Sequence, residues 1–464
     1  MEYKLHNHNH SIHKPHPLTQ RRIIMSTTRR QFLKGTAAAA AVASTFTIPA
    51  VHAAENNTIH VGIVGCGSRG SGALLQALST EGPVELVSMA DAFEFKTERL
   101  LQRVVEARPD RLKNKDPNTV ARFHGLHGYK ACIDALNPGD VVILTTPTAF
   151  RHIHFRYAVE RGIHVFLEKS FAVDTPGIKH VAKSWEIAQQ KGLKVMTGLN
   201  NRKYFRTEDC VDQIHNGAIG DITGIFVYRC QEEVPYNYDP NKSTLQNQLL
   251  NFNSFTWVAG SPIIDWMIHN IDIGCWSKND WPVWCQGVCG RSVRTIKDQA
   301  YDHSTVEYHF KDGVRMVVQQ RQIPGTWWAF KCVVQGTKGM AVLGEGHPSP
   351  CIYKGFTEDH NDIVWRSEKP RNDSYQEEHN RLFRIIREDL PNVKVDEGIK
   401  SAFAGVMGRM ALESGQEISY DTAWNSEFQF VKDLDALELD SPAPIEPDAD
   451  GNYPQFKQGI TRNF

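Results

Sequence analysis

Asp265, His269 and Asp272 stand four and three residues apart in Asp265-Trp266-Met267-Ile268-His269-Asn270-Ile271-Asp272. Read as one helix, this spacing puts all three on a single face. A carboxylate beside an imidazole holds the ring in one tautomer, and the other ring nitrogen is then free to take or return a substrate proton. Two further groups belong to cofactor chemistry. Gly65-Cys66-Gly67-Ser68-Arg69-Gly70 is a glycine loop whose backbone N–H groups can approach a pyrophosphate, and Asp91, 21 residues after Gly70, has the spacing of an acid that binds ribose hydroxyls. Lys169, in Glu168-Lys169-Ser170, ends an apolar run and so places an ammonium at a strand end.

Ile59 to Val64 is an apolar run ending in the glycine loop, and Ser71 to Leu78 reads as the helix that follows it. Val84 to Ala90, Asp140 to Thr146, Ile163 to Leu167 and Lys194 to Thr197 repeat the buried-strand pattern with helical segments between them. Such alternation predicts a doubly wound parallel α/β sheet of Rossmann type, with ligands at the carboxyl ends of the strands, where Thr145, Thr146, Pro147 and Lys169 fall. From about Asp221 the period changes. Ile222 to Cys230, Val283 to Gly290, Ser304 to Phe310, Val314 to Gln320, Ala329 to Gln335 and Met340 to Leu343 read as strands, and Asp312-Gly313 and Gly336-Thr337-Lys338-Gly339 as hairpin turns. They predict a C-terminal α+β domain with an open, mostly antiparallel sheet, one face of which suits packing on a partner subunit. Tyr375 to Arg387 reads as a helix returning to the Rossmann unit. The organisation expected is an extension and signal over 1–53, a Rossmann domain over 54–198, a sheet domain over 199–425 and a C-terminal surface arm over 426–464, the last marked by Ser441-Pro442-Ala443-Pro444.

Two domains agree with 464 residues at 41% apolar and 23% charged. A formal charge of −1 exerts no general pull on nucleic acid or anionic lipid, so neither partner is expected. Thr28-Arg29-Arg30-Gln31-Phe32-Leu33-Lys34, followed by a weakly apolar stretch from Gly35 to Ala50, reads as a twin-arginine export signal cleaved after Ala53, with an uncleaved anchor as the alternative. The destination is the periplasm or beyond, and the export machinery is one partner. Either Met1 or Met25 starts the chain, and the histidines of residues 1 to 24 are assigned no function. Nine scattered cysteines form no C-x-x-C pair and read as thiols of a protein folded before export. No metal site is expected.

The glycine loop, Thr146-Pro147, Glu168-Lys169, the Gly217-Ala218-Ile219-Gly220-Asp221 turn and Asp265-x-x-x-His269-x-x-Asp272 together resemble the glucose-fructose oxidoreductase, inositol dehydrogenase and MocA family over roughly residues 58 to 420. The resemblance implies a sugar or polyol substrate in the cleft between the domains, and assembly into a dimer or tetramer through the open sheet. Lys169 would lie beside the nicotinamide, His269 would be the acid/base with Asp265 as its orienting or relay partner, and Arg202 or Tyr204 would contact substrate. Cofactor contacts are expected from Gly65, Gly67, Ser68, Arg69, Gly70, Asp91, Thr146, Pro147, Arg151, Glu168 and Lys169. Asp91 favours NAD, because an acid there repels a 2′-phosphate and no arginine follows immediately, with NADP as the alternative. Two positions depart from the family: Ser170 stands where a proline is usual, and Arg151 where many members have histidine. Three functions fit these features: an NAD(P)-dependent sugar or polyol oxidoreductase whose cofactor is held and recycled, a glycosidase or lyase working through transient oxidation and elimination, and a non-catalytic sugar-binding relic.

Overall fold

The computed structural model describes residues 57–344 and 349–464; the twin-arginine segment lies outside them. The first half alternates strand and helix: β1 (Ile59–Val64), α1 (Ser68–Leu78), β2 (Val84–Asp91), α2 (Glu94–Ala107), β3 (Ala121–His124), α3 (Gly128–Asp134), β4 (Val141–Leu144), α4 (Thr148–Glu160), β5 (His164–Leu167), α5 (Thr175–Gln190) and β6 (Val195–Thr197). Its six strands are all parallel, in the order β3-β2-β1-β4-β5-β6. Helices cover both faces, which is why β4 and β5 are near-continuous apolar runs without polar alternation.

The second half comprises α6 (Phe205–His215), β7 (Ile222–Gln231), α7 (Thr244–Leu250), α8 (Thr256–Ala259), α9 (Pro262–Asp265), α10 (Ile268–Lys278), β8 (Trp284–Gly290), β9 (His303–His309), β10 (Arg315–Gln322), β11 (Ala329–Gly336), β12 (Gly339–Leu343), β13 (Cys351–Tyr353), β14 (Ile363–Arg366), α11 (Ser374–Arg387), α12 (Val395–Ser414), β15 (Ile418–Ser419) and α13 (Tyr420–Trp424). The nine strands lie in the order β14-β13-β12-β11-β7-β10-β9-β8-β15. All neighbours are antiparallel except the central pair β7 and β10. The architecture is the one the sequence predicts, a Rossmann sheet joined to an open, mostly antiparallel sheet.

Three elements position the site. Helix α12 is buried on nearly every side and packs against α5, α10 and β8, so it is the shared core of the two halves. Helix α11 returns to the Rossmann half and packs on α1. The third is a correction: the helix expected to run through Asp265 and Asp272 is two helices, α9 and α10, separated at Trp266-Met267. Three successive carbonyls at the break are bonded by side chains from elsewhere. Ile264 O accepts from Ser170 Oγ at 2.6 Å, Asp265 O from Lys169 Nζ at 2.5 Å, and Trp266 O from Arg229 at 3.3 Å. Carbonyls that accept from these side chains stand where the regular helical ladder is interrupted.

The nine cysteines are free thiols, eight of them buried. Among the described residues, no helix is long and apolar enough to cross a membrane, and no cluster of three or more histidines, cysteines or carboxylates is placed to hold a metal ion.

Candidate active site

The glycine loop occupies the turn from β1 to α1. Gly65 has φ +98, in the left-handed region, and a Cβ placed on Gly70 would lie 1.9 Å from Gly65 O, so the last glycine is what lets α1 start directly against the strand end. At Gly67 the reverse holds: a Cβ there meets nothing within 4 Å, and the residue caps α1 with no side chain in front of the helix N-terminus. An uncovered helix N-terminus in front of open space is a phosphate-binding arrangement. Asp91 ends β2, where Oδ2 accepts the Cys66 N–H at 2.7 Å and Oδ1 the Phe93 N–H at 3.0 Å, while Lys96 Nζ lies 3.9 Å away. Thr146 and Pro147 lead from β4 into α4, where Thr146 Oγ1 is 3.1 Å from His154 Nδ1. These residues fit a dinucleotide.

Arg69 and Arg151, both expected at the cofactor, have their guanidinium groups engaged with protein. Arg69 pairs with Glu168, stands 3.8 Å from Glu378 on α11 and stacks over Tyr375 at 4.7 Å. Buried Arg151 donates to the carbonyls of Lys169 and Ser170 and so fixes the backbone that carries the lysine. Glu168 accepts the Lys169 N–H at 2.9 Å. The Lys169–Ser170 peptide bond is cis, and Ser170, in the place of the family's proline, uses its hydroxyl to join β5 to α9.

The structure brings Lys169, Asp265 and His269 into one region but pairs them differently from the sequence expectation. The Asp265 carboxylate lies 3.4 Å from Lys169 Nζ, and His269 Nδ1 is buried with no hydrogen-bond partner. The imidazole pKa is pushed well below its ordinary value, first by burial and then by the charges of Lys169, Arg229 and Arg69. At neutral pH His269 is therefore an uncharged base beside a fixed ammonium.

Arg202, expected to contact substrate, is engaged by carboxylates of the protein. Its guanidinium is buried and donates to both Asp272 oxygens, at 2.7 and 2.8 Å, and to Glu397 at 2.5 Å, while Ser401 also donates to Asp272 at 2.7 Å. Tyr204 is half-buried at the start of α6. Next to Arg202, in the short turn Asn200–Lys203, Asn200 Oδ1 and Asn201 Nδ2 are buried and unpartnered, as are both amide atoms of Asn270 beside His269. His379 stacks on Phe166 at 4.2 Å.

Arg229 was not among the residues expected here. It sits between Phe330 and Trp266, 4.1 and 4.8 Å from the ring centres, and donates to Gln231 at 2.9 Å. A signal for it existed: along β7 it shares the inward face with Ile225 and Val227, where a charged residue is out of pattern.

A model of the twin-arginine translocation pathway signal sequence matches residues 26–46, and the chain is exported by that route. No curated protein matches the sequence. Among solved structures, the aldose-aldose oxidoreductase from Caulobacter crescentus, in complex with glycerol, superposes with a TM-score of 0.61 at 15% identity over 78% of this chain and 99% of that one. Levoglucosan dehydrogenase, in complex with NADH and L-sorbose, gives 0.59 at 15% identity over 78% and 98%. The myo-inositol 2-dehydrogenase from Lactobacillus plantarum gives 0.58 at 18% identity over 78% and 99%. Identities this low establish architecture: the chain has the two-domain fold of the glucose-fructose oxidoreductase, inositol dehydrogenase and MocA family, behind a twin-arginine export signal.

Proposed function

We propose that the protein is an NAD-dependent oxidoreductase acting on a CH–OH group of a sugar or polyol, with a cofactor that stays bound and is restored at the same site. The observation that carries the reading is the pairing of Lys169 Nζ, held by Asp265, with a buried, uncharged His269 in a protein whose glycine loop fits a dinucleotide. The named neighbours act on aldoses, levoglucosan and inositol, and one holds NADH. Asp91 at the ribose position favours NAD over NADP.

A dinucleotide held by the glycine loop and Asp91 would supply the hydride acceptor for the carbinol carbon. The ammonium of Lys169 is fixed by the Asp265 carbonyl and donates to the substrate oxygen. The His269 imidazole takes the hydroxyl proton and returns it in the reverse half-reaction. The unpartnered amides of Asn201 and Asn270 supply hydrogen bonds suited to further hydroxyls. Free nicotinamide cofactors are scarce outside the cytoplasm, so an exported enzyme gains from a second substrate that reoxidises or rereduces the bound cofactor.

The test is to purify the exported protein without added nucleotide and examine it by absorbance and mass spectrometry, then to incubate it with sugars, polyols and glycosides. Copurifying NAD and paired oxidation and reduction of two carbohydrates support the reading. Glycoside cleavage with no net redox change replaces it by transient oxidation and elimination, and no turnover with any carbohydrate by a binding role.

A further inference from the structure

The 40 or so residues after α13 form no long element, yet they are bonded to both halves of the molecule along their whole length. At one end the arm is fastened to the Rossmann sheet beside Asp91. In the β2–β3 register Asp91 pairs with His124, and the residues just after His124 hold the arm. The Tyr129 hydroxyl donates to Asp435 at 2.8 Å, Lys130 Nζ lies 3.3 Å from Asp435, and His127 Nε2 lies 3.0 Å from Glu438. Leu437, between these polar ties, and Ala443 and Tyr453 after them are buried in an apolar cluster with Phe93, two residues beyond Asp91, and Phe150 in the first turn of α4. At the other end the arm belongs to the sheet domain. Gln248 donates to Ile445 O at 2.6 Å, Gln299 to Pro454 O at 3.1 Å, and Asn463 bonds the buried Arg409 and Glu413 of α12 at 3.2 and 3.0 Å.

The carboxyl ends of β2, β3 and β4 are where the adenosine half of a dinucleotide lies in a doubly wound sheet. A segment pinned at that edge and again on the opposite domain spans the route by which the adenosine end must leave. We infer that the C-terminal arm, from Gln429 to Tyr453, is part of the dinucleotide site: a strap across its adenosine end that slows cofactor release. This rests on the dinucleotide reading above and extends it to a segment outside the glycine loop and the catalytic residues. Burial of three apolar side chains in the arm, with polar ties on either side, gives a closure that opens rarely, as retention through many turnovers requires.

The experiment loads the full chain with NAD and follows its release into excess competing nucleotide by protein fluorescence, beside gel filtration and mass determination of what stays bound. Two variants are compared with the parent: deletion after Ser426, and, because that deletion uncovers an apolar cluster, the full-length triple variant Asp435→Asn/Leu437→Ser/Glu438→Gln. Circular dichroism and melting identify folded material. The expected result is release at least about tenfold faster from the triple variant, with a smaller change in the association rate. Release within twofold of the parent in the folded triple variant overturns the strap while leaving the function intact. A parent chain that binds neither NAD nor NADP overturns the dinucleotide reading and the strap together.

Discussion

Asp272→Asn separates a structural Arg202 from a substrate-binding one. The carboxylate is 1% exposed and receives three hydrogen bonds, two from Arg202 and one from Ser401. Burial disfavours the Arg202 charge, and the carboxylates of Asp272 and Glu397 more than offset this, so its pKa is raised. Removing the Asp272 charge leaves a buried guanidinium with Glu397 as its remaining counter-charge, and breaking a buried pair in this way costs about 3–5 kcal/mol. For a cooperative unit of roughly 400 residues the unfolding entropy at the midpoint is about 0.8 kcal/mol per degree, so the melting temperature falls by about 4–6 °C. Arg202→Met should fall comparably, because it strands Asp272. The double variant Arg202→Met/Asp272→Leu should recover much of the loss, since an apolar pair replaces the buried ions. Calorimetry or a dye-monitored melt provides the numbers. The reasoning fails if Asp272→Asn melts within about 1 °C of the parent while carbohydrate affinity drops, the pattern of a residue whose business is with substrate.

Three further outcomes follow from the geometry. Gly70→Ala forces a Cβ against Gly65 O, and displaces the α1 N-terminus; NAD binding measured by titration should weaken at least about tenfold in protein that is still folded by circular dichroism. Lys169→Met, paired with the fixed Asp265 contacts, should lower single-turnover hydride transfer by about 10²–10⁴-fold while bound NAD is retained, and a variant at parental rate removes the lysine from the chemistry. His154 is 4% exposed, and burial, with His152 nearby, pushes its pKa down to about 3 from an unfolded value of 6.5. The unfolded chain binds the proton first, so this contribution is intact above pH 6.5 and is lost as pH falls toward 3, at up to about 1.4 kcal/mol per pH unit. Stability of His154→Gln followed by urea unfolding from pH 6.5 to 4 should fall less steeply than the parent by that slope, and an unchanged slope excludes His154 as the source.

The parts legible in the sequence are those decided by neighbours in the chain. Both hairpin turns, the glycine loop and the strand-end positions of Asp91 and Lys169 follow from local pattern, and the structure has them. Strand β3 was not legible because Ala121-Arg122-Phe123-His124 is a short, half-exposed edge with no apolar run. Helix α12 was missed for the opposite reason: buried on almost every side and rich in alanine and glycine, it has no apolar stripe against a polar face. The carbonyls at the Trp266-Met267 break are bonded by Ser170, Lys169 and Arg229, residues far off in the chain, so no helical spacing around Asp265 could reveal these contacts. The carboxylates that meet Arg202 from α10 and α12 were not legible, because position after the last Rossmann strand says nothing of them.

These long-range bonds share one consequence. Lys169 and Ser170 tie β5 to α9, Arg202 ties the turn after β6 to α10 and α12, and Arg69 ties α1 through Glu168 and Glu378 to β5 and α11. Each tie crosses between the halves that form the cleft, or braces the strand end carrying the lysine. Their groups are mostly buried, and swinging the halves apart breaks all of these hydrogen bonds together, at about 0.5–1.5 kcal/mol net for each. Cofactor entry by such a hinge is therefore costly. The arm's hold on the Rossmann edge is different: Asp435 and Glu438 are exposed, where an ion pair is worth about 0–1 kcal/mol, so burial of Leu437, Ala443 and Tyr453 supplies most of it. Peeling the arm is the cheaper motion, which on the proposed reading makes it the step expected to set how long a bound dinucleotide stays.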